Sequence, residues 1–428
     1  MRAAALFVCA VLLAAAPCNA LQSMQQRGAL PHGGSYVLDP DPTISAAAID
    51  LWFRAPGAGY DDGAPGISRL AATAAAAAPL TTGKSLVEMV HSVGGVLSID
   101  VYPDIVGIGA VVPSSSARRV VAAMTAAYFA PAIDDASVKT AQRDSAVRAV
   151  EQRYSADQTL HDLLFKEVFS AGPAHYPPLP DSVSALTRIP TADVATFAKR
   201  AFRSDNAVLT VSGNVDTSTL EAVTDGQGNG SMDRPFNSKL SGSNGASTEQ
   251  GSVDGVGLAW VGPPIVDTKA ATALDFVADY LFRDETGVVS KALDALKSST
   301  YVSGQFVTLN NPGVMLVTIS GDDTKSAKQR VIDELQRLAQ PLDAKTFAAA
   351  REAFLYHLAS DTQTPQGQAD NLGWYSAEGN ASYAPGDTGG EYESTARSLD
   401  PQFVAGIVQR YLKEPVVVNL VTAKASAS

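Results

Sequence analysis

Ala48-Ile49-Asp50-Leu51-Trp52-Phe53-Arg54-Ala55-Pro56-Gly57 is an apolar stretch closed by Pro and Gly. Roughly 210 residues later the theme returns as Val256-Gly257-Leu258-Ala259-Trp260-Val261-Gly262-Pro263-Pro264. Both are short apolar runs closed by Gly and Pro. Their recurrence at a fixed offset marks an internal repeat, and the segments around each copy extend it.

Each stretch runs into an alanine-rich helix, Ile67 to Ala78 in the first half and Ala270 to Phe282 in the second. A pair of strand-like runs follows. These are 96–101 and 105–112, turning at Pro103-Asp104, and 301–309 and 314–320, turning at Asn310-Asn311-Pro312-Gly313. Alternation bounded by turn residues predicts hairpins. Next come an amphipathic helix (117–130; 325–339), a longer helical region (137–168; 343–359), and a closing helix and strand. Thr191 and Asp400 are the predicted N-caps of the closing helices, with Pro401 in the first turn of the second. The stretch 224–255 is rich in Gly, Ser and Asn and predicts a flexible linker. The expected organisation is therefore α+β, with two equivalent lobes at 34–223 and 256–424, each an antiparallel-rich sheet packed with helices.

The chain has 428 residues, 46% hydrophobic and 18% charged, enough for large cores. Arg2, the apolar run Ala3 to Ala16 and the small residues Cys18-Asn19-Ala20 predict a secretory signal over 1–20. The run falls short of the ~20 residues that span a bilayer, so no membrane anchor is expected. Pro17 argues against a lipidated Cys18. Both cysteines, Cys9 and Cys18, lie in that leader, which leaves no disulfide framework and no cysteine nucleophile. An exported protein, periplasmic or secreted, is expected. The formal charge of −12 without basic clusters argues against nucleic-acid binding.

Several strings resemble the insulinase (pitrilysin-like) metallopeptidase family. Ala47 to Asp62 is similar to its first strand and following loop, and Val90-His91-Ser92-Val93-Gly94-Gly95-Val96-Leu97-Ser98 to its helix-to-strand segment. Val211-Ser212-Gly213-Asn214-Val215-Asp216 is similar to the end of its first lobe, and Leu372-Gly373-Trp374-Tyr375 falls late in the second. The resemblance implies a peptide-handling fold that encloses unfolded polypeptide. Active members carry H-x-x-E-H on the helix after the first strand. Its histidines, four residues apart on one helix face, hold zinc, and its glutamate activates water. A glutamate on a later helix completes the ligands.

The matching segment here is Gly66-Ile67-Ser68-Arg69-Leu70-Ala71-Ala72-Thr73. Arg69 and Thr73 replace the histidines and Ala72 the glutamate, while Glu151 falls where the later ligand would be. Arginine stays protonated, alanine has no donor atom, and neutral threonine is a poor zinc ligand. No zinc is therefore expected in this chain, only in active relatives. None of His32, His91, His161, His175 and His357 has a partner at metal-binding spacing. Glu151, read alone, is a solvated helix carboxylate.

In heterodimeric relatives a metal-free subunit offers an Arg and a Tyr to substrate. Here Tyr301 matches that tyrosine, but the position seven residues earlier is Asp294, with Lys291 and Lys297 nearby. Tyr301 also reads simply as the first residue of a hairpin. No nucleophile elbow or P-loop is present. The expected function is a non-catalytic subunit that forms a peptide chamber with a zinc-bearing relative. The alternatives are a stand-alone peptide-binding or scaffold protein and a metallopeptidase with an unrecognised site.

Overall fold

The computed structural model describes residues 25–54, 57–61, 64–170, 176–226, 246–295 and 299–422. The predicted leader 1–20, His175 and Lys297 lie outside them.

In the first half, β1 (Gln26–Ala29), β2 (Ser35–Pro40) and β3 (Ala46–Arg54) precede α1 (Ile67–Ala77) and α2 (Leu86–Ser92). The hairpin β4 (Val96–Val101) and β5 (Ile105–Pro113) comes next. It leads to α3 (Ala117–Phe129), α4 (Asp135–Arg153), α5 (Ala156–Val168), α6 (Leu179–Leu186), α7 (Thr191–Ala201) and β6 (Ala207–Gly213). The second half opens with β7 (Ala246–Gly251), β8 (Gly255–Val261), α8 (Thr268–Phe282), α9 (Val288–Ala295), β9 (Tyr301–Val307) and β10 (Val314–Ser320). It closes with α10 (Thr324–Leu338), α11 (Ala344–Asp361), α12 (Pro365–Ala377), α13 (Tyr392–Arg397), α14 (Pro401–Tyr411) and β11 (Val416–Thr422).

The strands form two sheets, ordered β1-β2-β6-β3-β5-β4 and β7-β11-β8-β10-β9. The last five positions correspond one to one, including one parallel pair in each, β2 with β6 and β7 with β11. The α+β duplication is thus real down to strand direction.

Three expectations change. Part of the predicted linker, 246–251, is the strand β7. Its sequence Ala-Ser-Thr-Glu-Gln-Gly has no large apolar residue, because it is a largely exposed edge strand. The first sheet starts before residue 34, since Gln26 of β1 pairs with Leu38 of β2. Thr191 is the first residue of α7 rather than its cap, and its hydroxyl hydrogen-bonds Asp135 at 2.5 Å. Asp400 does cap α14, accepting from the Phe403 N–H at 2.8 Å.

Each sheet borrows a helix from the other half. Helix α5 of the first half lies across the second sheet, where Leu160 and Leu164 share a buried cluster with Ala259, Leu316 and Leu420. Helix α12 of the second half lies across the first sheet. A Cβ at Gly373 would come within 2.2 Å of Trp52 Nε1, so glycine permits the close approach. Trp374 then packs edge-on against Trp52 at 5.7 Å and Tyr102 at 4.7 Å. Its indole N–H donates to the Thr308 carbonyl at 2.9 Å.

Candidate functional site

Helix α1 carries the segment that resembles the metal motif, and a buried acid sets its start. Asp61 accepts the N–H groups of Gly66 at 2.6 Å and Ser68 at 3.0 Å, while Gly66 turns the chain at φ 86°. Burial pushes the Asp61 pKa up to about 7 against those hydrogen bonds.

The three motif positions have different surroundings. Arg69 is half-buried and lines a cleft of about 570 Å³ together with Arg148, Glu151, His161, Asp162 and Gln305. Ala72 is fully buried in the first core, and its carbonyl accepts the Tyr128 hydroxyl at 3.0 Å. Thr73 is half-buried further along the helix. The fold therefore brings Arg69 and Glu151 to one cleft, while Ala72 faces the interior. Among the described residues, no hydrogen bond or ion pair holds the side chain of either Arg69 or Glu151.

These residues do not fit a zinc ion. A guanidinium repels one, an alanine methyl offers no lone pair, and Glu151 alone supplies too few ligands. The two other acids of the cleft are already committed, Asp157 to the Thr318 hydroxyl and Asp162 to three donors. Asp162 accepts from Tyr176 at 2.5 Å, Gln152 at 2.7 Å and the Leu179 N–H at 3.0 Å. Among the described residues, no three of His, Cys, Asp and Glu are grouped to hold a metal.

His161 and Gln305 join the halves here. The Gln305 amide nitrogen on β9 donates to His161 Nε2 on α5 at 2.8 Å, and burial pushes the His161 pKa below its ordinary value. His161 is therefore held neutral, which the accepting nitrogen requires. Nothing in the sequence pairs two residues 144 positions apart, so this contact was invisible there.

The same two residues also line a larger hollow of about 850 Å³ between β9, α8, α11 and α12. Its acids are partly paired. Arg283 makes a two-pronged contact with Asp361 at 2.7 and 2.8 Å, and His357 meets Asp279 at 2.9 Å. Asp370 joins this hollow to a third, of about 600 Å³, on the face of the first sheet beside β4. The three hollows thus share walls from the cleft at α1 to the free edge of the first sheet. Tyr301 is 79% exposed at the start of β9 and lines neither the α1 cleft nor the larger hollow.

Residues 188–354 match the sequence profile of the peptidase M16 inactive domain. No curated protein sequence matches the chain. Among solved structures, a protease from Helicobacter pylori superposes with a TM-score of 0.76 at 15% identity, covering 92% of this chain and 98% of that one. A peptidase M16 inactive domain from Pseudomonas fluorescens gives 0.72 at 16% identity, covering 95% and 100%. A chain of complex III2 from Candida albicans gives 0.74 at 12% identity, covering 92% and 94%. The similarity to these structures is one of fold over nearly the whole length.

Proposed function

We propose that this chain, an insulinase-type (M16) protein without the residues for a metal centre, binds extended polypeptide and forms one wall of a chamber with a zinc-bearing relative. The observation that carries the reading is the string of hollows running from α1 to an unpaired sheet edge. Strand β4 ends the first sheet, and Val96 on it is 70% exposed. An open edge offers a row of backbone donors and acceptors to an extended peptide, whose side chains then fall alternately into flanking pockets. The loss of metal donors at α1 beside retained hollows suits a binding role rather than hydrolysis. A subunit role is supported by fold similarity to a chain that works inside an assembly, complex III2. The apolar leader Ala3 to Ala16 supports export to the periplasm or the exterior.

The test is co-expression with a zinc-bearing insulinase-type chain, followed by gel filtration and titration with a fluorescent unfolded peptide. Co-elution of the two chains, and peptide binding without cleavage by this chain alone, are expected. Peptide binding with no co-elution would favour the stand-alone binder. Stoichiometric zinc in the purified chain, with chelator-sensitive cleavage, would overturn the reading.

A further inference from the structure

We infer that the hollow between the first sheet and the start of α12 is a subsite for a cation on a flexible stem, a lysine or arginine side chain, with Asp50 at its floor as the ion-pair partner. The inference rests on the peptide-binding reading above and names what one of its pockets selects.

The pocket follows from strand register. Asp50 of β3 lies opposite Gly109 of β5, which lies opposite Ser98 of β4. The next row is Trp52, Gly107 and Asp100. Gly109 adds no side chain between Asp50 and Ser98, so a trough opens there, and the Trp52 ring, which lies over Gly107, walls one end of it. A Cβ at Gly109 would sit 2.9 Å from Asp50 Oδ1 and 2.8 Å from Ser98 Oγ, which means that the Asp50 carboxyl leans over Gly109 toward the free edge. Asp370, from the second half, closes the trough above.

Asp50 is the buried acid of this hollow. It is 6% exposed, and among the described residues no donor reaches its carboxyl. Asp39, Asp61 and Asp104 each accept at least one hydrogen bond, from Ser212, from two backbone N–H groups and from the Asn310 N–H, whereas Glu378, also unpaired among the described residues, lies outside this hollow. Burial, with Asp370 and Asp100 adding to it, pushes the Asp50 pKa well up. No Lys or Arg lines the hollow. A carboxyl desolvated without a partner is costly, and a cation entering from outside would supply the missing half of the pair. The acids are not grouped to ligate a metal, which favours an ammonium or guanidinium.

The reach is right. Strands lie ~4.8 Å apart, so a peptide added to β4 would run about 10 Å from Gly109. An extended arginine stem of about 7 Å plus a hydrogen bond of ~2.9 Å spans that distance. Alternate side chains of such a peptide share the face of Ser98 and Asp100.

The test uses calorimetric titration of the full chain with a peptide bearing one arginine, the same peptide with norleucine there, and agmatine as a free guanidinium. The arginine peptide is expected to bind about tenfold more tightly than the norleucine peptide. Asp50→Asn should erase that preference and leave the norleucine peptide unaffected. Asp370→Asn, on an exposed helix position, should weaken the preference without disturbing the fold. Equal affinity for the two peptides overturns the subsite while peptide binding stands. Agmatine binding that Asp50→Asn abolishes, with neither peptide bound, supports the subsite and overturns the peptide reading. Binding of none of the three overturns both.

Discussion

Asp104 and Glu378 show what single residues do at the junction of the halves. Both are buried, Asp104 at the turn between β4 and β5 and Glu378 just after α12. Burial raises both pKa values, and Asp104 raises that of Glu378 further. Folding therefore takes up protons at this pair. Its stabilisation is complete below the ordinary carboxyl range near pH 4 and is lost as pH rises through the raised values. The thermal midpoint should fall between pH 5 and pH 8. Glu378→Gln removes the second charge beside Asp104, so it should flatten that fall. At pH 8 it should gain on the order of 1–2 kcal/mol over the wild type, measured by urea unfolding at the two pH values. Position 72 gives the opposite sign. Placing there the glutamate of the insulinase-type motif, as Ala72→Glu, forces a carboxylate into a fully packed site. It should cost about 2 kcal/mol or more and create no zinc site, readable by denaturation and metal analysis. The resemblance located Arg69, Ala72, Thr73 and Glu151, but only contacts distant in sequence reveal which of them face the cleft.

At the scale of elements, helix α12 depends on a side chain that is not there. Gly373→Ala puts a methyl group within 2.2 Å of Trp52 Nε1, an atom of a rigid ring buried in the sheet face. Either the helix lifts or the indole shifts, at about 1–3 kcal/mol, with a matching drop in urea midpoint. A change in tryptophan fluorescence should accompany it, because Trp52 and Trp374 are in contact. The hairpins were legible because alternation and turn residues are local signals. The helix predicted as one region over 137–168 is instead α4 and α5, divided at Tyr154-Ser155. The division is written in Ser155, which accepts from the Gln158 N–H at 3.3 Å, but no Gly or Pro announces it. Strand β7 stayed hidden because an exposed polar edge strand has the composition of a linker.

The whole molecule is two repeats in sequence but not two separable bodies. The first sheet takes its second cover from α12, and the second sheet takes one from α5. The junction adds contacts of its own, including Arg54 donating to the Ser376 carbonyl at 2.9 Å and Arg27 pairing with Asp387 at 2.9 Å. An isolated first half would expose Trp52, Ile105 and Val208 on its bare sheet face, together with Leu160 and Leu164 of a helix with nothing to rest on. Exposed apolar surface of that extent drives association rather than a stable monomer. Residues 25–226 expressed alone should therefore aggregate or unfold, whereas co-expression with 246–428 should reconstitute a 1:1 complex by gel filtration. If each fragment instead ran as a folded monomer with a cooperative melt, the reciprocal helices would be accessories and the hollows between the halves could open freely. If only the pair folds, the hollows are walled by a single rigid unit, and any opening to admit a polypeptide must occur at the exposed edge of β4.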